Sequence, residues 1–168
     1  VSHHIIARLQ DALDAAARHA RDTGQEATIV DNSLHGDASA AGTQIAEYLL
    51  LQRPGVYLWG GETTVCLPEH PGRGGRNQSL ALAAAVVLQG NRDCVLLAAG
   101  TDGTDGPGDV AGAIVDGATV ARGGSLQAAL DALQRADAGS FLDASGDLLV
   151  TGPTGTNVMD MVIGLKAG

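Results

Sequence analysis

A chain of 168 residues that is 45% hydrophobic but only 2% aromatic can enclose one packed domain, with Ala, Leu and Val filling its core. A formal charge of -9 and a pI near 4.7 exclude the basic stripe that binding to nucleic acid or to an anionic membrane requires, which leaves a small solute as the expected partner. Cys66 and Cys94 are too few and too far apart for a disulfide framework or a metal cluster, and are expected to be reduced and buried or half-buried.

The first residues carry no signal-peptide pattern. The longest apolar-rich helix, over 80–88, is far short of the about 20 residues of a membrane span, so cytoplasm is the expected compartment. His3 and His4 have no third ligand nearby and read as surface or interdomain residues. Residues 5–20 place Ile5, Leu9, Leu13, Ala16, Ala17 and Ala20 on one helical stripe that Gly24 closes. A short strand over 27–30, a polar turn over 31–36 and a helix over 39–51, with Ile45, Leu49 and Leu50 on its apolar side, complete an α-β-α unit. One strand is little for two helices to pack on, so this unit is expected to leave apolar faces for a further domain or a second copy of the chain.

A strand over 56–59 breaks at Gly60-Gly61 into a first polar loop carrying Glu62, Thr63 and Thr64. Glu62 has two open readings: a structural carboxylate paired with Arg76, or a residue that positions substrate or magnesium. After Gly72-Arg73-Gly74-Gly75 a helix over 77–88 begins, with Leu80, Ala84, Val87 and Leu88 inward. Arg76 stands at its N-terminal edge, where helix amides and guanidinium can cooperate on an anion.

The apolar strand over 94–97 then empties into Ala-Ala-Gly-Thr-Asp-Gly-Thr-Asp-Gly-Pro-Gly-Asp, residues 98–109. Asp102 and Asp105 could hold magnesium through oxygen or serve the loop's own amides, whereas Asp109 is assigned to capping a short helical pattern at Val110, Ala113 and Ile114. A brief strand at Thr119 and Val120 is expected next. Ser125 should then cap a helix running to 135 with Leu126, Leu130 and Leu133 inward, and Phe141 should plug the core between it and the sheet. A strand over 147–150 delivers the last polar loop, Thr151-Gly-Pro-Thr-Gly-Thr-Asn157, ahead of the terminal apolar segment 159–165. Glycine frees backbone amides, and Thr, Asn and Arg add donors for carboxylate or phosphate oxygens, so these loops are expected to share one anion-handling face. Neither a Gly-x-Gly-x-x-Gly fingerprint nor a P-loop is present.

Gly60-Gly61-Glu62-Thr63-Thr64, Gly74-Gly75-Arg76-Asn77-Gln78, Gly100-Thr101-Asp102-Gly103-Thr104-Asp105-Gly106-Pro107 and Thr151-Gly152-Pro153-Thr154-Gly155-Thr156-Asn157-Val158 resemble, in order, the four signature blocks of the MOFRL family. That domain is the C-terminal part of glycerate 2-kinases, many of which carry the older label hydroxypyruvate reductase. Two departures stand out: Ser79 replaces an acidic residue common after Gln78, and 67–71 lacks the family's basic, glycine-rich character.

The resemblance implies an α/β fold, a layered mixed sheet flanked by helices. Residues 1–53 would be the closing α-β-α piece of a Rossmann-like N-terminal domain and 54–168 the MOFRL domain. It further implies an ATP-dependent kinase acting on the 2-hydroxyl of D-glycerate, with catalytic Arg76 and Asp102. Substrate contacts would come from Glu62, Thr63, Thr64, Asn77, Gln78, Thr101, Asp105, Thr154, Thr156 and Asn157. ATP and Mg2+ belong to the full-length enzyme, with no metal ligand in this chain, no tightly bound cofactor and no turnover by the chain alone. The expected partners are a glycerate-like acid and the N-terminal kinase domain. Two alternatives remain: a non-catalytic domain for binding small acids or for oligomerisation, and an NAD(P)-dependent hydroxypyruvate reductase, for which the residues offer no dinucleotide fingerprint.

Overall fold

Strand direction decides where every polar loop ends up. The structure, a computed structural model, describes residues 4–168; His3 lies outside the described residues and His4 is exposed. Among the described residues six strands form one mixed sheet: β1 (Ala27–Leu34), β2 (Gly55–Gly61), β3 (Cys94–Gly100), β4 (Gly112–Asp116), β5 (Leu148–Leu149) and β6 (Asp160–Lys166), in the order β1-β2-β6-β3-β4-β5. β1 and β2 are parallel, and every other neighbouring pair is antiparallel. Hence β1, β2, β3 and β5 run one way while β4 and β6 run back. The loops that leave β2, β3 and β5 therefore all emerge at one end of the sheet, where β4 and β6 also begin.

Among the described residues six helices cover the two faces: α1 (Leu9–Asp22), α2 (Ala38–Leu50), α3 (Arg76–Leu88), α4 (Thr119–Gly123), α5 (Leu126–Gln134) and α6 (Ala138–Ser145). Alternation along β2 divides the core, with Leu58 facing α1, and Tyr57 and Trp59 facing α2 and α3. The expected stripe of α1 is present from Leu9 onward. Ile5 is exposed because the helix starts only after Arg8, whose backbone N–H donates to Asp11 Oδ2 at 2.9 Å. Leu9 and Leu13 pack internally against β2 rather than awaiting a partner. A Cβ on Gly60 would come within 2.7 Å of Leu9 Cδ1, so the missing side chain lets α1 approach. The expected break between 53 and 54 falls between α2 and β2, and β1 hydrogen-bonds to β2 within the common sheet.

α3 is buried continuously from Asn77 to Ala85, enclosed by the sheet, α2, α5 and α6. Its crossing with α2 depends on Gly42, whose Cβ would collide with the Leu80 carbonyl.

Several local expectations are corrected. Residues 112–116 form a strand rather than a helix, because Ala113 and Val115 alternate inward against Ile114, and Gly112 lies directly on Ala98. Asp109 is exposed and caps no helix. Thr119 and Val120 begin α4, a helix rather than a strand. Ser125 caps α5 as expected, accepting from the Ala128 amide at 3.1 Å, but Ala129 and Ala132 are the buried side while Leu126 and Leu130 are exposed. Ala129 and Ala132 are the side chains that α5 buries in the core with α3 and α6, and Leu133 packs at its margin. Phe141 is a core residue on the unforeseen α6, seated on Gly123. The terminal apolar segment is β6, a central strand. Cys94 is buried, and that burial pushes its thiol above the usual value, but Cys66 is exposed because it lies on the loop after β2. Among the described residues no helix is long and apolar enough to cross a membrane.

Candidate functional site

The sheet register brings the site together at its first pair. Gly61 at the end of β2 and Gly100 at the end of β3 both align with Asp160, the first residue of β6, which is buried between them. Arg76, the first residue of α3, reaches this carboxylate with a forked contact. Nε donates to Asp160 Oδ2 at 2.5 Å and Nη2 to Oδ1 at 3.1 Å. The third guanidinium nitrogen, Nη1, lies 2.9 Å from Glu62 Oε1 on the loop after β2. The hydrogen bond to Asp160 raises the guanidinium above its already high ordinary value, against the opposing effect of burial, so Arg76 is a permanent cation.

Asp105 anchors the same helix. Its Oδ1 accepts from the Asn77 backbone at 2.9 Å and from Asn77 Nδ2 at 3.3 Å; its Oδ2 accepts from the Gln78 backbone at 2.8 Å and from Gln78 Nε2 at 3.0 Å. The approach requires glycine at 75, where a Cβ would lie 2.4 Å from Asp105 Cγ. The expectation that the α3 amides are open to a ligand anion is corrected here, since the protein supplies that anion itself. Asp105 also provides the negative charge that Ser79 lacks. Burial pushes the Asp105 carboxyl up, the Asn77 and Gln78 amides pull it down, and the net direction is upward.

The loops after β3 and β5 form one body. Thr101 donates to the Met159 carbonyl through both its amide, at 3.1 Å, and its hydroxyl, at 2.7 Å. Thr154 Oγ1 donates to the Thr101 carbonyl at 2.5 Å, and Asn157 Nδ2 donates to Asp102 Oδ2 at 2.9 Å. The other Asp102 oxygen accepts the amide and hydroxyl of Thr104, both at 3.0 Å. The residue expected to be catalytic, Asp102, is thus in this structure a tie between loops. Met159 is held at φ +72, in the left-handed region that a side chain disfavours, by Thr101 on its carbonyl and Asn157 Oδ1 on its amide.

Of the residues expected at the site, Glu62, Arg76, Thr101, Asp102, Thr154, Thr156 and Asn157 stand at this end of the sheet with some exposure. Thr63, Asn77, Gln78 and Asp105 are buried there and shape it from beneath. Thr64 is exposed but tied to the chain ahead of α2, its hydroxyl donating to the Gly36 carbonyl at 3.2 Å. Asp160 was missed by sequence reasoning. Its signal was the single charge within the apolar run 158–165, which a buried strand carries only if that charge is paired.

The donor set does not suit a protein-held magnesium ion. Asp102 and Asp105 are engaged by N–H and O–H donors, Asp160 by Arg76, and among the described residues no group of three His, Cys, Asp or Glu could hold a metal. At the opposite end of the sheet, Arg122 joins Asp116, at 2.9 Å, to Asp147, at 2.6 Å, and braces β4 against β5.

A profile of the MOFRL family matches residues 55–160. The chain is 42% identical to the D-glycerate 2-kinase of Thermotoga maritima over 98% of its own length and 42% of that protein. It is 36% identical to the glycerate 2-kinase of Pyrococcus horikoshii, over 98% of this chain and 39% of that one. The crystal structure of the Thermotoga maritima glycerate kinase superposes with a TM-score of 0.92 at 42% identity, covering 99% of this chain and 42% of the other. The chain therefore spans about two fifths of the length of these relatives.

Proposed function

The chain belongs to the MOFRL family, and from that premise we propose that it forms one wall of the active site of an ATP-dependent kinase that phosphorylates the 2-hydroxyl of D-glycerate. The observation that carries this reading is the setting of Arg76. A buried carboxylate fixes two of its nitrogens, and the third is directed to an exposed loop at the end of the sheet where the glycine-rich connections gather. Phosphoryl transfer asks for positioning and neutralisation of charge rather than covalent chemistry, and a guanidinium held in one plane meets a carboxylate or phosphoryl group with matched geometry. The tied loops of Thr101, Asp102, Thr154 and Asn157 give the substrate a rigid floor, so little order has to be imposed on binding.

ATP would supply the transferred phosphoryl group. Among the described residues there is no carboxylate set for its magnesium, and the sequence holds no P-loop, so nucleotide and metal are assigned to the remaining length found in the relatives. Residues 1–53 are assigned as the closing piece of that neighbouring domain.

A coupled assay with D-glycerate, ATP and magnesium tests the reading. The 168-residue chain alone should show no turnover, and Arg76→Lys in a full-length enzyme carrying it should lower kcat/KM by about 10²–10³, the cost of removing one preorganised donor. Robust turnover by the isolated chain, or an undiminished Arg76→Lys enzyme, would overturn it.

A further inference from the structure

The two carboxylates on Arg76 differ in kind. Asp160 takes Nε and Nη2 through two hydrogen bonds, and its side chain is 4% exposed. Glu62 meets Nη1 alone, and its side chain is 54% exposed. The backbone of Glu62 is fixed independently, its amide donating to the Leu34 carbonyl at 2.8 Å, so the side chain can swing away without disturbing the loop. An exposed single contact contributes little, whereas a buried fork is costly to break. An incoming anion would therefore displace Glu62 and leave Asp160 in place.

We infer that Glu62 is a displaceable stand-in for the substrate's anionic group on Arg76, and that its charge, still close by after displacement, makes the site favour a singly charged acid over a more highly charged phosphorylated one. This rests on the reading of Arg76 as the group that receives the substrate anion. The site then admits glycerate readily and holds its phosphate ester less firmly than Arg76 alone would, because repulsion from Glu62 grows with the charge of the ligand. Asp160, in contrast, is a positioning residue that keeps the guanidinium plane constant through both states.

The test is titration of a full-length two-domain enzyme carrying this chain with D-glycerate and, separately, with 2-phospho-D-glycerate, followed through the Arg76 Nε–Hε resonance in wild type, Glu62→Gln and Arg76→Lys. For the lysine variant, backbone amides of 100–103 replace the lost signal. Glu62→Gln should bind glycerate about 2- to 5-fold more tightly, the range expected for an exposed ion pair, and its gain for the phosphate ester should be at least twice as large. Arg76→Lys should lose both. Glu62 is exposed, so its substitution leaves folding intact, and a thermal melt checks that directly. If Glu62→Gln binds no more tightly, or gains equally for both ligands, while Arg76→Lys loses binding, the stand-in role fails and the proposed function survives. If wild type binds neither ligand, or Arg76→Lys binds as wild type does, the proposed function fails and this inference falls with it.

Discussion

Replacing Asp105 with alanine isolates the contact that orients α3 and hence Arg76. Asp105 is 5% exposed, and its carboxylate accepts from two backbone amides and two side-chain amides. Gln78 Nε2 keeps the Asp105 carbonyl as an acceptor at 3.0 Å and the Asn77 Nδ2 contact is long at 3.3 Å, so the main loss falls on the two backbone N–H groups of the first helical turn, which cannot turn to another acceptor. At about 1–2 kcal/mol for each stranded donor, the loss should be about 2–4 kcal/mol. For 168 residues the unfolding entropy is about 0.35 kcal/mol/K, so Tm should fall by about 6–11 °C. Urea unfolding monitored by far-UV circular dichroism, alongside a thermal melt, measures both quantities. Gly75→Ala should reproduce much of the effect, since its methyl group would occupy the carboxylate's place, and the double variant should lose less than the two singles added. A loss below about 0.5 kcal/mol in Asp105→Ala would refute the reasoning, because it would mean that the amides are already served by water or by another acceptor.

The remaining expectations concern pH and strain. The Asp105 carboxyl is raised in the folded state, so the native protein binds that proton more tightly than the unfolded chain does. Its contribution is complete below the ordinary 3.8 and is lost as pH rises through the elevated value. The urea midpoint of wild type should fall relative to Asp105→Asn over that window, and a constant difference would contradict it. Asp116 moves the other way: burial raises it, but the Ala118 amide and Arg122 together lower it further, so its contribution is present above 3.8 and lost as pH falls through the depressed value. Arg122→Gln should flatten the acid limb of the stability profile, and an unchanged limb would count against the brace. Met159→Gly should be neutral or stabilising by up to about 1 kcal/mol, because it relieves a left-handed φ at a half-exposed side chain, whereas Met159→Val should destabilise. Equal melts for the two variants would show that the φ is not strained.

Much of this protein was written locally. The glycine blocks could be read because close backbone approach demands glycine wherever it occurs, as at Gly60 beneath Leu9 and at Gly75 beneath Asp105. The α1 stripe from Leu9 and the Ser125 cap were legible for the same reason, since each depends on residues within a few positions. What pairs with what was not. The reversal of β4 and β6, which carries three loops to one end, is a matter of long-range register, and a five-residue segment such as 112–116 has too few apolar positions to declare its period. On α5 the Leu and Ala stripes have the same helical spacing, and only the closeness of α3 and α6 selected Ala129 and Ala132. Local reading left Arg76 open between a ligand and a carboxylate of a neighbouring loop, and Asp105 between ligand or magnesium chemistry and the loop's own amides, because both sit in glycine-rich loops that suit either use. Tertiary packing placed Asp160 between β2 and β3 and Asp105 under α3, and a buried carboxylate so placed must take the nearest donors. Those two acids turned the residues expected to face a ligand into the scaffold that holds one arginine in place.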